Sequence, residues 1–158
     1  MESSQLPSLA VFDILARMNP KRLFLAIVSV FVGIWLTDFL IHGIWLKNDY
    51  AASMNLWRPE AEMQAHMGWL MLGQFLAATM FVMIWARGFA ATACLGCACV
   101  YGTCMGLFGQ ANTLITYAVQ PLPAEIAVKW FMAGVAQGVL MGLLVFFVYK
   151  PNKLEASV

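Results

Sequence analysis

Each of the two histidines in this chain follows a carboxylate by four residues. Asp38 precedes His42 inside a long apolar run, and Glu62 precedes His66 where the next apolar run begins. Side chains four apart share one face of a helix, so each carboxylate can accept the histidine N–H and fix its tautomer. If the two helices are neighbours, both histidines reach a similar depth. We therefore expect the two pairs to converge on one spot.

Three interpretations of these pairs are open. In the structural one, Asp38 and His42 satisfy each other or bond to Trp, Tyr or backbone groups. The Glu62–His66 pair then caps the second helix, where the dipole favours a carboxylate. In the second, both histidines, helped by both carboxylates, bind a transition metal, or the histidines are the axial ligands of a haem b. In the third, they belong to a proton path or to a lipid- or quinone-binding pocket. Its lining would be Trp35, Trp45 and Trp69.

The composition indicates the class of protein that must position these side chains. Hydrophobic residues make up 62% of the chain and charged residues only 11%, whereas soluble domains average roughly 45–50% and about 25%. Mean hydropathy is +0.77, and a soluble fold would have too little polar surface at this composition. The net charge of +1 gives no indication of a nucleic-acid partner.

Apolar runs are long enough to cross a bilayer in four places. Roughly 20 apolar residues are needed, and a helix is the only open-ended structure that satisfies its own amides there. The runs are residues 23–46, 66–86, 89–119 and 124–149. The rest is a lead-in over residues 1–22, a loop over 47–65 and a tail over 150–158. The prediction is an all-α integral membrane protein, a single antiparallel bundle of four transmembrane helices.

The distribution of Lys and Arg predicts the orientation. Six of these residues fall on the side of the termini, and three fall on the side of the 47–65 loop. The positive-inside rule then places both termini in the cytoplasm of a bacterium and the loop outside the inner membrane. Within the lead-in, Leu9–Met18 is either a short interfacial helix or a frayed segment.

Glycines recur at helical spacing in the last two runs. Gly134, Gly138 and Gly142 form one stripe on the fourth helix, and Gly102 and Gly106 lie on the third. Small residues let two helix backbones approach closely. We expect these two helices to pack through the stripes, although the stripe on the fourth helix could instead receive a partner chain.

Four cysteines lie close together at Cys94, Cys97, Cys99 and Cys104. We expect all four on one membrane helix, where diverging Cβ vectors disfavour a disulfide between them. A free cysteine behaves as a small hydrophobe. The prediction is therefore reduced thiols that serve packing, with metal or redox chemistry as the alternative.

Most of the chain resembles small bacterial four-helix inner-membrane proteins of unknown function. The resemblance rests on the run from His42 to Leu46, the linker with Tyr50 and Leu56-Trp57-Arg58, and the glycine-striped fourth helix. It implies the fold but no activity.

Phosphate-binding, hydrolase and zincin motifs do not occur in the sequence. We therefore expect a non-catalytic accessory or scaffold subunit that packs with itself or with a larger membrane complex. The alternative is a redox, metal- or haem-binding protein that uses His42 and His66. A further alternative is a lipid- or quinone-binding protein or a small transport component.

Overall fold

A computed structural model describes residues 19–149, and all regular structure in that part of the chain is helical. The elements in chain order are α1 (Pro20–Asp38), a π-helical segment (Phe39–Trp45), α2 (Lys47–Ala52), a 3-10 turn (Met54–Leu56), α3 (Glu60–Ala65), α4 (Met67–Gly88), a second 3-10 turn (Ala90–Thr92), α5 (Leu95–Val119) and α6 (Ala124–Val148). The expected interfacial helix Leu9–Met18 and the tail 150–158 lie outside the described residues.

Three of these helices are long and apolar enough to cross a membrane. They are Pro20–Trp45, which joins α1 to the π segment, then Met67–Gly88 and Ala124–Val148. In the most apolar 18 residues of each helix, only 11%, 17% and 22% are buried inside the protein. Most of the apolar surface of these helices therefore faces outward. α5 is as long as α6 but does not qualify as a span, because amides, threonines and glycines dilute its apolar residues. The all-helical prediction is confirmed, and the fourth span stays a prediction.

Local sequence explains where the first helix begins. Asn19 is its N-cap, and the Asn19 side chain accepts a hydrogen bond from the Arg22 backbone N–H at 3.2 Å. Pro20 occupies the first turn, where its missing N–H costs nothing. The Asn-Pro pair therefore starts the helix. The predicted 47–65 loop is also more regular than expected, since it contains α2, a 3-10 turn and α3.

α5 and α6 pack through the glycines singled out in the sequence. A Cβ on Gly138 would lie 2.5 Å from the Gly102 carbonyl oxygen and 2.7 Å from the Gly106 Cα. Likewise, a Cβ on Gly106 would lie 3.0 Å from the Val135 Cα. Because these neighbours are backbone atoms, the two helices touch along their main chains, as small residues permit.

The other contacts place α1 between α4 and α6. Where α4, α5 and α6 meet, aromatic rings fill the space, and we call this region the aromatic end. It comprises Phe81, Trp85, Phe89, Tyr101 and Phe146. The Tyr101 hydroxyl donates a hydrogen bond to the Phe81 carbonyl, so the ring is tied to α4 as well as packed. This end is buried and almost entirely apolar.

Candidate functional site

The long apolar helix Pro20–Trp45 changes its helical geometry near Asp38 and His42, the residues expected to do chemistry. From Phe39 to Trp45 the backbone is π-helical, and the Leu46 N–H donates to the Ile41 carbonyl five residues back, at 2.9 Å. A π turn holds more residues than an α turn, so side chains four apart no longer superpose. Asp38 and His42 therefore do not bond to each other. His42 bonds to a tyrosine, which is the other possibility of the structural interpretation.

Asp38 joins three helices through amide side chains. Its Oδ2 accepts from Gln74 Nε2 of α4 at 2.6 Å, and its Oδ1 accepts from Gln137 Nε2 of α6 at 2.7 Å. The Gln137 amide also donates to the Thr37 hydroxyl at 2.6 Å. Two N–H donors suit an ionised carboxylate, because it can only accept. None of the ion pairs formed within residues 19–149 involves Asp38.

His42 belongs to a second hydrogen-bonded chain. The Trp130 indole N–H donates to the Tyr50 hydroxyl oxygen at 2.7 Å, and that oxygen lies 2.5 Å from His42 Nδ1. An indole can only donate, so the Tyr50 oxygen accepts from Trp130 and the phenol proton is available to His42 Nδ1. This direction places the proton of a neutral His42 on Nε2.

The electrostatics of Tyr50 support that direction. Burial is the main cause that raises the pKa of Tyr50 from 10.0 to about 12, and the hydrogen bond from Trp130 acts in the opposite sense. The carboxylates of Asp49 and Asp38 raise the pKa further. The phenol therefore keeps its proton at physiological pH and is available as the donor to His42.

A cavity of about 190 Å³ connects the two hydrogen-bonded groups. Its polar lining comes from α1, the π segment, α5 and α6: Asp38, His42, Gln110, Thr113, Trp130 and Gln137. The Thr113 hydroxyl donates to Gln110 Oε1 at 2.6 Å. The Gln110 amide lies over Gly134, where any Cβ would collide with it. We call the region around Asp38, His42, Tyr50, Trp130 and Gln137 the polar end.

An ion pair holds the linker after the π segment against α6 at the polar end. Lys129 Nζ lies 2.9 Å from Asp49 of α2 and 2.6 Å from Glu125 of its own helix. Tyr50 and Trp57 also pack against an apolar cluster at the start of α6. The linker is thus held to α6, and this positions Tyr50 against His42.

The second predicted pair is also different in the structure. His66 Nδ1 donates to the Glu62 backbone carbonyl at 2.7 Å, and the Glu62 carboxylate instead pairs with Arg58 at 3.6 Å. α3 ends at Ala65, so His66 lies in the turn between two helices and its ring folds back onto the carbonyl. His66 is exposed and does not line the cavity.

These placements bear on the metal, haem and quinone interpretations. Across residues 19–149, no three His, Cys, Asp or Glu side chains form a cluster that could hold a metal ion. The expected four-ligand set of both carboxylate–histidine pairs is therefore not assembled there. Haem ligation by the two histidines alone stays a prediction. Trp35, Trp45 and Trp69 do not line this cavity and are 37%, 53% and 73% exposed, and its indole comes from Trp130. A separate pocket formed by the three tryptophans stays a prediction.

The cysteine prediction is wrong for one pair. Cys94 lies before α5 as its N-cap, in extended backbone with φ −133° and ψ 162°. It forms a disulfide with Cys97, with the two Cα atoms 5.0 Å apart. The Cβ vectors do not diverge because Cys94 is outside the helix. Cys99 and Cys104 are free thiols.

Several residues of the polar end escaped the sequence analysis. Gln74 and Gln137 are single amides inside apolar helices, which is a readable signal because such groups need a partner in a membrane. Lys129 and Asp49 lie 80 positions apart and Trp130 and Tyr50 likewise, and no local pattern connects them.

Comparison with known proteins adds no relative. No protein-family model matches the chain, and neither the curated proteins nor the solved structures give a match.

Proposed function

We propose that this chain is a multi-pass membrane protein whose polar end binds a small organic ligand with a hydrogen-bonding head. It acts as a binding protein for a lipid or quinone, or as a small transport component. α5 is the fourth span of an antiparallel bundle, with the termini inside and the polar end near the outer surface. The bacterial inner membrane is the proposed location. The exposed apolar surfaces of the three apolar helices support insertion, since soluble monomers rarely expose large apolar patches.

The observation that carries the proposal is the cavity beside Asp38. Ionisable side chains in apolar helices are costly and are kept where a partner or a function requires them. Here the carboxyl group, an imidazole and two amides converge on one space of about 190 Å³. A few directed polar groups in an otherwise apolar recess are typical of small-molecule sites.

Filling the cavity tests the proposal. Ala133 lines the cavity on α6, whereas Ala136 lies on the exposed side of the same helix. Ala133→Leu therefore occupies the space and Ala136→Leu is the matched control. Native mass spectrometry of protein purified in mild detergent should show a small molecule retained by the unmodified chain and by Ala136→Leu, and lost from Ala133→Leu. Equal spectra for all three proteins would contradict a cavity ligand.

A second candidate is the accessory or scaffold role in a homo-oligomer or a larger membrane complex. Gly68 and Gly73 of α4 and Gly109 of α5 have nothing within 4 Å of a built Cβ, so another helix can approach there. Gly73→Leu should then disrupt assembly as measured by cross-linking in native membranes, whereas Ala136→Leu should not. A monomer that yields no cross-linked species in either form would rule this role out.

The orientation has its own test. A reporter active only in the cytoplasm, fused after Val158, should be active if both termini are inside. A reporter active only outside should be silent at that position. The reverse result would place the polar end at the cytoplasmic surface.

A further inference from the structure

We infer that the ligand of the polar end carries an ammonium group, bound between the Asp38 carboxylate and the ring of Trp130. This inference rests on the proposed function, because it names the chemical class of the ligand in the same cavity. The source of the ammonium is either a soluble amine or the headgroup of an aminophospholipid.

No Lys, Arg or His of residues 19–149 forms an ion pair with the Asp38 carboxylate in the cavity lining. Asp38 accepts hydrogen bonds from Gln74 and Gln137, but both donors are neutral amides. Lys129 is the lysine of α6, and its ammonium group forms ion pairs with Asp49 and Glu125. A carboxylate inside apolar helices is stabilised when a cation lies beside it. A ligand that brings the cation supplies what the described residues leave out.

The walls of the cavity suit an ammonium better than a second anion. Trp130 presents an indole, the best aromatic partner for a cation, and its ring centroid lies 6.1 Å from that of His42. The Thr113 hydroxyl proton is used on Gln110 Oε1, which leaves the amide N–H groups of Gln110 as donors in the same lining. A second anion would meet the Asp38 carboxylate, which can only accept hydrogen bonds.

The volume sets the size of the bound group. At roughly 30 Å³ for each water in the liquid, a cavity of about 190 Å³ holds roughly six waters. Sites for drug-sized ligands are larger, at about 300–1,000 Å³. The cavity therefore suits a small alkylammonium, or a headgroup whose acyl chains remain outside among lipids.

The test is titration calorimetry of the full-length protein in detergent with tetramethylammonium and with its uncharged carbon isostere. We expect the cation to bind and the isostere to bind at least about tenfold more weakly. Asp38→Asn should abolish binding of the cation. Glu62→Gln is the matched control, because it removes one negative charge at an exposed site far from the cavity lining and should leave binding unchanged.

A second variant covers the case in which Asp38→Asn does not fold. Trp130→Leu keeps the carboxyl and removes the aromatic wall, and it should weaken cation binding about tenfold. Phosphatidylethanolamine and phosphatidylglycerol nanodiscs distinguish the sources. Retention of phosphatidylethanolamine alone, with no binding of the free cation, identifies the lipid headgroup as the ligand.

Two results overturn the inference. One is equal affinity for the cation and its isostere, or unchanged binding in Asp38→Asn. The other is the absence of binding both to tetramethylammonium and to phosphatidylethanolamine. With either result, the unmodified chain could still retain a small molecule that Ala133→Leu loses. The cavity proposal then stands, and only the ammonium assignment fails.

Discussion

Glycines at the two ends of α6 have different neighbours on α5. Gly138 and Gly142 lie toward the aromatic end, and they bring α6 against the backbone of α5. Gly134 lies one turn closer to the polar end, and it makes room for the Gln110 side chain instead of for a backbone. One stripe thus closes the bundle at one end and leaves a cavity at the other. Glycine spacing alone does not distinguish these roles.

The ends also differ in how their polar atoms are used. At the aromatic end the Tyr101 hydroxyl donates its hydrogen bond to the Phe81 backbone carbonyl. At the polar end Asp38, His42 and Tyr50 form chains that terminate at a cavity. About 24 Å of helix separates Trp130 from Phe146 at 1.5 Å per residue. A closely packed end and an end with a cavity therefore share one helix.

The largest expected effect is on the helix packing toward the aromatic end. Gly138→Ala places a Cβ against the Gly102 and Gly106 backbones, so the helices must separate, at a cost of about 1–3 kcal/mol. Thermal unfolding in detergent should show a clear loss of Tm. Gly109→Ala on α5, with open space around it, is the control and should leave Tm nearly unchanged. Equal Tm values for the two variants would contradict the close contact.

The next effect separates folding from binding. The three atoms nearest to a Cβ on Gly134 belong to the movable Gln110 side chain, so the loss of Tm in Gly134→Ala should be smaller than that in Gly138→Ala. The displaced amide should nevertheless enter the cavity and weaken retention of the ligand in native mass spectrometry. If Gly134→Ala destabilises the protein as much as Gly138→Ala and retains the ligand, the two glycines do not differ in the way described.

A smaller effect concerns the fastening of the linker. Asp49 and Lys129 have side chains only 19% and 25% exposed, whereas the Glu125 side chain is 70% exposed. Asp49→Asn should therefore lower Tm more than Glu125→Gln does, because exposed ion pairs contribute little. Differential scanning fluorimetry of both variants measures this. The opposite order would show that the local pair within α6, and not the pair to α2, holds Lys129.

The smallest effect is a pH dependence from Tyr50. Its folded pKa of about 12 exceeds the value of 10.0 for the free group, so the folded protein keeps a proton that the unfolded chain loses. The stabilisation is complete below pH 10 and is lost between about pH 10 and 12. Tyr50→Phe should show a weaker fall of Tm over that interval than the unmodified protein. Tyr117→Phe is the control, and an identical profile for all three would contradict the buried phenol.

The sequence predicts the fold better than the site, and particular residues show why. Apolar length determines where helices can form, so the four predicted runs correspond to α1 with its π segment, α4, α5 and α6. The site depends on helix rotation, which patterns this apolar do not specify. The sequence indicates Asp38 as a polar group within an apolar run. Its partners Gln74 and Gln137 lie on other helices and could not be assigned from the sequence.

The π segment is the clearest limit of the sequence analysis. Spacing by four assumes an α-helix, and the change of geometry after Asp38 turns His42 toward Tyr50. The N-cap at Cys94 is a second case, because one residue outside the helix allows a disulfide that four helical cysteines would not form. Both errors come from treating a long apolar run as uniformly α-helical.

An experimental structure of the full-length protein in nanodiscs, made with lipids extracted from its own membrane, tests the central claim most directly. The account predicts non-protein density in the cavity, in contact with the Asp38 carboxyl and the face of Trp130. A cavity closed by protein side chains, with Asp38 paired to a cation of this chain, would contradict it.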